Sequence, residues 1–255
     1  MLAAVLLAVF ILTETRASQP ITPLRLFGDL SRSGSFIGRL LLVAGMFGMF
    51  YFLTQVLQRL LFFSPLRAGV AFLPMTVALF AVSRLAPRVM PRLGVKPMMV
   101  VGMLPAIAAM VWLSRVTTAS GYWDGFFGPM LLLGVGLGLV FVPLTTTSLA
   151  GVPPKDSGAA SAMLNMIQLV GGSLGLAVLV AVFGTAYRGS IQHSPAGLTR
   201  FAQGQHAFAH GVGTAFLLAA IFDIACLLVI IFLIRIRKAP VATPAPQQQP
   251  AAAVD

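Results

Sequence analysis

The sequence has very little charge. Of its 255 residues only 9% are Asp, Glu, Lys or Arg, whereas about a quarter of an ordinary soluble domain is charged. Hydrophobic residues make up 58% of the chain, and so few charged side chains could not cover the surface of a water-soluble fold. This scarcity excludes a soluble globular protein and indicates a protein of the membrane.

Acidic and metal-binding side chains are also scarce. The six acidic residues are scattered, and the sequence has no carboxylate pair, Ser/His/Asp grouping or phosphate-binding loop. The single cysteine, Cys226, cannot form an intramolecular disulfide. His193, His206 and His210 are close in sequence, but a zinc site needs three or four ligands and no cysteine or acidic residue accompanies them. We therefore expect no enzyme activity and no metal, and we assign the histidines to an ordinary polar loop.

The hydrophobic residues are gathered in long blocks. A helix needs about 20 apolar residues to cross a hydrocarbon layer of about 30 Å, and these blocks are apolar on every side, unlike the alternating strands of a membrane barrel. The sequence therefore predicts an all-α integral membrane protein. Six blocks are long enough to be complete spans, namely residues 36–58, 68–85, 97–113, 125–142, 158–187 and 212–234.

A further block, residues 1–12, is too short to cross the membrane. It resembles the apolar part of a signal peptide, but no basic residue precedes it and the segment after it offers a poor cleavage site. The favoured interpretation is a partial transmembrane helix. Residues 13–35 would then form a cytoplasmic linker, and residues 36–235 would form a six-span bundle.

The basic residues indicate how the chain is oriented. A net charge of +11 would suggest a nucleic-acid partner in a soluble protein, but here the basic residues follow membrane sidedness, and we expect no nucleic acid. One set of alternating segments carries five of the 17 basic residues: Arg59, Arg67, Arg115, Arg188 and Arg200. The other set carries the remaining twelve: Arg16, Arg25, Arg32, Arg39, Arg84, Arg88, Arg92, Lys96, Lys155, Arg235, Arg237 and Lys238. This bias predicts a cytoplasmic C-terminus, where residues 236–255 have too few bulky apolar side chains to pack and are expected to be disordered.

Two of the predicted spans carry small and polar residues at helical spacing. Uncompensated amides are costly in hydrocarbon and usually face a bundle interior or water, so the polar members are candidates for a substrate cavity. The alternative is hydrogen bonding that only holds the helices together, at about 0.6 kcal/mol per contact. The stripes consist of Ala44, Gly48, Tyr51, Gln55 and Gln58 on the first span, and of Ser161, Asn165, Gln168, Gly172 and Gly175 on the fifth. The cavity candidates are Tyr51, Gln55, Gln58, Asn165 and Gln168.

One acidic residue, Asp223, lies near the middle of the last span without a basic residue in its own helix. A carboxylate there costs about 2.5 to 3.5 kcal/mol on insertion scales, and this cost makes Asp223 a candidate for ion coupling. The competing interpretation is a protonated aspartic acid that is hydrogen-bonded to a neighbouring helix.

Glycines are frequent within the spans. Gly134, Gly136 and Gly138 superficially resemble a dinucleotide-binding loop, but the third glycine of that motif and its preceding soluble strand are missing. Small residues let helix backbones approach each other in lipid. The glycines therefore predict close helix packing.

Together these features resemble the fourteen-span drug:proton antiporters of the major facilitator superfamily. The likeness is carried in order by PLRLF (23–27), FYFLTQVLQ (50–58), SPLRAGVAFLP (64–74), GVGLGLVFVP (134–143), VPPKDSGAASA (152–162) and GGSLG (171–175). The loop signature of the family, Asp-Arg-x-Gly-Arg-Lys, is matched at Arg92, Gly94 and Lys96. Pro91 and Val95 depart from it. By this resemblance, Arg92, Gly94 and Lys96 are candidates for a cytoplasmic gating loop.

The resemblance implies the six-helix C-terminal bundle of an efflux transporter in a bacterial inner membrane. Its partners would be the lipid bilayer, an amphipathic small molecule and an N-terminal bundle, present in cis or as a separate chain. Transport would use the proton gradient and no cofactor. In this family the first and fourth helices of a bundle line the cavity, so Gln55 would lie near the substrate and Asp223 would not. The alternative is a truncated or partner-dependent membrane module that does not transport.

Overall fold

The computed structural model describes residues 28–193 and 199–234. The α helices in this part of the chain are α1 (Leu30–Arg59), α2 (Pro65–Ala71), α3 (Leu73–Leu93), α4 (Val95–Leu113), α5 (Gly128–Leu149), α6 (Ser157–Gln192) and α7 (Arg200–Leu233). A π-helical turn (Tyr122–Phe127) leads into α5, and a 3-10 turn (Pro154–Asp156) leads into α6. No strand occurs among the described residues, and the predicted all-α fold is confirmed.

Six segments of the described chain are long and apolar enough to cross a membrane, as predicted. One of them, Pro65–Leu93, consists of α2 and α3 together. The predicted residues 1–12, most of the linker 13–35, and the tail 236–255 lie outside the described residues.

Two helices begin well before the predicted spans. Helix α1 starts at Leu30 instead of residue 36, and α7 starts at Arg200 instead of residue 212. Hydropathy marks only the part of a helix that lies in hydrocarbon, whereas the helix itself continues to its cap. The Asp29 carboxylate accepts a hydrogen bond from the Ser31 amide at 2.9 Å, and the Thr199 hydroxyl oxygen accepts one from the Ala202 amide at 3.3 Å.

The helices pack in two layers. The front layer consists of α3, α5, α1 and α6 in that order, and the back layer of α4 and α7 lies behind α5 and α1. The first half of the bundle, α1–α4, packs mainly on the second half, α5–α7. Helix α1 contacts α6 and α7, while α5 contacts α3 and α4. The central helices α1 and α5 are therefore covered on most sides, and they carry much of the apolar core, including Phe52 and Leu133.

Glycines make these close contacts possible. A Cβ on Gly171 of α6 would lie 2.7 Å from the Leu40 carbonyl oxygen of α1, and one on Gly136 of α5 would lie 2.7 Å from the Gly102 carbonyl oxygen of α4. Real Cβ atoms do not approach a backbone so closely, so a larger residue would force the helices apart. The predicted role of the glycines in close packing is confirmed.

A single residue, Gly94, joins α3 to α4. Its φ of 84° and ψ of 156° lie in a region that only glycine adopts without strain. The two helices can therefore reverse direction without a loop.

Replacing Gly171 with alanine should destabilise the bundle by about 1 to 3 kcal/mol, because the new methyl group meets backbone atoms of α1. The matched control is Gly189→Ala in the same helix, where nothing lies within 4 Å of the new carbon. Circular dichroism during SDS titration in mixed micelles measures the difference. Equal midpoints for the two variants would show that α1 and α6 are not in close contact.

Candidate substrate cavity

The front of α1 is the exposed side of a central helix. Gly45 of α1 faces α7 behind it, and Ala44 faces Gly175 of α6 beside it. The side that remains carries exposed residues, among them Tyr51 and Gln58. We call this surface, with the polar residues that border it on α6, the open face.

The two predicted polar stripes divide into a packed part and an exposed part. Their small residues form the α1–α6 contact, where Gly48 meets Leu179 and Gly172 meets Phe47. Asn165 precedes Gly172 by seven residues, or about two helical turns, and it lies exposed on the same side of α6. The structure thus places Tyr51, Gln58 and Asn165 on the open face, whereas Gln55 and Gln168 are half-buried at its edge. Their contact with a substrate stays a prediction.

A cavity of about 740 Å³ lies at the end of the open face where α1 ends. Gln58 and Arg59 of α1 line it together with Phe183, Tyr187 and Phe208 from α6 and α7. The guanidinium of Arg59 lies 5.6 Å from the centre of the Phe208 ring. Only one of the predicted cavity residues, Gln58, belongs to this aromatic space.

The sequence analysis missed the role of Arg39. It assigned Arg39 to the cytoplasmic connecting segments, but the residue lies inside α1 and is only 6% exposed. Its guanidinium donates hydrogen bonds to the Thr145 hydroxyl of α5 at 3.1 Å and to the Gln168 amide oxygen of α6 at 2.9 Å. It also lies 3.6 Å from the centre of the Phe141 ring. One signal was available, because residue 39 falls within the first apolar block, where a charge is costly.

Asp223 lies on the opposite side of α1 from the open face. Its side chain is 2% exposed, and a Cβ on Gly45 would lie 3.4 Å from its carboxyl oxygen. No hydrogen bond joins this carboxyl to another described residue. Asp223 is thus enclosed between α7 and α1, and its role in ion coupling stays a prediction.

The three gating-loop candidates lie at the turn between α3 and α4. Arg92 is exposed, Gly94 forms the one-residue link, and the Lys96 ammonium donates a hydrogen bond to the Ile231 carbonyl oxygen of α7 at 2.6 Å. Since α7 ends at Leu233, this bond ties the turn to the end of the last helix. Gating by these residues stays a prediction.

The assignment of the histidines to a loop is wrong for two of them. His206 and His210 lie within α7, because the helix extends beyond the apolar block that was used to locate it. With His193 they line a cavity of about 380 Å³. Among the described residues, no group of three or more His, Cys, Asp or Glu side chains could hold a metal ion.

Comparisons with known proteins identify the family. The model of the Major Facilitator Superfamily matches residues 1–176. The puromycin resistance protein pur8 of Streptomyces alboniger is 38% identical over 184 residues, which cover 71% of this chain and 37% of that protein. The cephamycin export protein CmcT of Amycolatopsis lactamdurans is 35% identical over 72% of this chain and 38% of its own length.

A third relative extends over more of the chain. The multidrug efflux pump LfrA of Mycolicibacterium smegmatis is 30% identical over 217 residues, which cover 84% of this chain and 42% of the pump. The chain thus spans about two fifths of the length of these relatives. With six apolar helices and this family match, the chain is a multi-pass membrane protein that belongs to the major facilitator superfamily.

Proposed function

We propose that this chain forms the C-terminal helix bundle of a drug-efflux transporter, and that its open face is one wall of the substrate cavity. The observation that carries the proposal is the polar surface on α1 and α6 within an otherwise apolar bundle. Exposed amide and phenol groups are costly against lipid, whereas a wall of a water-filled cavity would hydrate them. The names of the relatives, which describe drug resistance, export and multidrug efflux, support the same function.

The proposed substrate is an amphipathic small molecule. Aromatic groups such as Phe47, Phe50 and Tyr51 are exposed on α1, and they lie on the same helix as the amides of Gln55 and Gln58. Such a mixed surface binds a ligand through apolar contact and a few hydrogen bonds, so it accepts ligands of varied shape. An N-terminal bundle, in cis or as a separate chain, would supply the facing wall, and the two would rock around the site.

The proposed energy source is proton entry, without a cofactor. Asp223 is the proton-binding candidate of this bundle, because it is an enclosed acidic side chain. Its place between α7 and α1 requires that it act through the packing of these helices, since it does not reach the open face.

We further propose an inner-membrane location with the C-terminus in the cytoplasm. The basic residues support this orientation. Without Arg39, which is buried in α1, eleven of them still fall in the segments assigned to the cytoplasm, against five in the others.

A second candidate is a membrane module that associates with a partner and does not itself transport. Sequencing the DNA upstream of Met1 distinguishes between the two proposed functions. Continuous coding sequence for further spans supports the transporter, while an independent start signal or a neighbouring gene for an N-terminal bundle supports the module.

The orientation can be tested with fusions after Ala239. Green fluorescent protein should fluoresce at that position, and alkaline phosphatase should be inactive there, because the first folds in the cytoplasm and the second requires export. An active phosphatase fusion would reverse the proposed orientation.

Efflux can be measured with a neutral dye, Nile red, and an anionic dye, anilinonaphthalene sulfonate, in cells that express a full-length transporter containing this bundle. We expect export that a protonophore abolishes. Gln55→Leu should change the inhibitory concentration of some substrates by about three- to tenfold, because one hydrogen bond is lost. Gln192→Leu, at the end of α6, is the matched control. An unchanged substrate profile for a well-expressed Gln55→Leu variant would place Gln55 outside the cavity.

A further inference from the structure

Arg39 is a buried cation that three neutral groups surround. Its guanidinium contacts Thr145 and Phe141 of α5 and Gln168 of α6, and thereby joins the helices on both sides of α1. None of these partners is acidic, and Arg39 forms no ion pair with any residue that the structure describes. Its Nε–H is buried and has no hydrogen-bond partner there. Within residues 28–193 and 199–234, no acidic side chain therefore compensates this positive charge.

The hydrogen bonds determine which groups remain available for a ligand. The Thr145 hydroxyl donates its proton to the Phe141 carbonyl oxygen at 2.8 Å, so toward Arg39 it can only accept. A guanidinium has only donors, so Gln168 must turn its amide oxygen to Arg39. The amide nitrogen of Gln168, with its two N–H donors, then points away from the guanidinium.

The half-buried Gln168 lies at the edge of the open face. Asn165, three residues before it on α6, is exposed and adds a second amide on the same side. A ligand would therefore meet N–H donors that are backed by a fixed positive charge. Such a surface favours anionic oxygen atoms and disfavours cations.

We propose that Arg39, together with Gln168, forms a binding site for the carboxylate or sulfonate of an amphipathic solute. This inference rests on the proposed cavity wall and specifies the class of substrate that this wall accepts. Arg39 supplies the charge and orients Gln168, and Gln168 donates hydrogen bonds to the anion. Because Arg39 is buried while Gln168 is only half-buried, a solute that enters from the open face can use the positive charge without displacing the guanidinium.

The binding test uses the whole chain in phosphatidylcholine nanodiscs, so it does not depend on transport. The probes are 1-naphthaleneacetate and its neutral counterpart, 1-naphthaleneacetamide, compared by saturation-transfer NMR. We expect the acetate to bind the wild type more tightly than the amide. Arg39→Gln should weaken acetate binding by about tenfold or more, because the positive charge next to Gln168 and the hydrogen bond that orients its amide are lost. Arg88→Gln, which removes an exposed arginine of α3, should not change it.

A second variant distinguishes a ligand-binding role of Gln168 from a purely structural role. Gln168→Glu gives Arg39 a carboxylate within the protein, so it keeps the link between α1 and α6 while it occupies the proposed site. We expect Gln168→Glu to melt at a higher temperature than the wild type and to lose acetate binding by about tenfold or more. If Gln168→Glu binds the acetate as tightly as the wild type, or if the acetate and the amide bind equally to the wild type, the site does not exist.

Nanodiscs that contain phosphatidylglycerol test a lipid phosphate as the occupant. We expect this lipid to leave acetate binding unchanged. If phosphatidylglycerol competes with the acetate for the wild type, and this competition disappears in Arg39→Gln, the site binds lipid and the proposal of a solute site is overturned. Failure to export either the neutral or the anionic dye, alongside Arg39-dependent acetate binding, would overturn the proposed transport and leave this site in place, so the two failures are distinguishable.

Discussion

Close contact between helix backbones holds this bundle together. In lipid, apolar side chains gain little by leaving their surroundings, and helices associate through packing at short range. Here the contact of α1 with α6 depends on Gly171, Gly172 and Gly175, and the contact of α5 with α4 depends on Gly102 and Gly136. These two contacts position the central helices, and every feature of the open face follows from where those helices lie.

The two enclosed charged groups of α1 and α7 lie on opposite sides of α1. Arg39 reaches forward to α5 and α6, while Asp223 lies at the back against Gly45. They are therefore not an ion pair. Each charge must be stabilised, or neutralised, by its own surroundings. Under the proposed function, a wall with a cation at the front and an acid at the back would separate substrate recognition from proton binding within one bundle.

Hydropathy alone predicted the six spans, because about 20 apolar residues are needed wherever a helix crosses hydrocarbon. It did not predict that α7 begins at Arg200, because the first residue of a helix is determined by its N-cap and not by hydrophobicity. Helical spacing grouped Ala44 with Tyr51, but it could not show that Ala44 would be used in packing while Tyr51 stays exposed. The Arg39 cluster draws on three helices, and Thr145 and Gln168 are each more than 100 residues from Arg39 in sequence. Only their packing reveals that Gln168, which was predicted as a cavity residue, is also the partner of a buried cation.

Because the first half of the bundle packs mainly on the second half, the order of synthesis affects how the bundle assembles. Helix α1 rests on α6 and α7, and α3 rests on α5, while helices of the first half contact one another only slightly. During synthesis the first three spans enter the bilayer before their partners have left the ribosome. They lack most of their packing partners at that stage, and Arg39 gains its contacts only when α5 and α6 have been inserted.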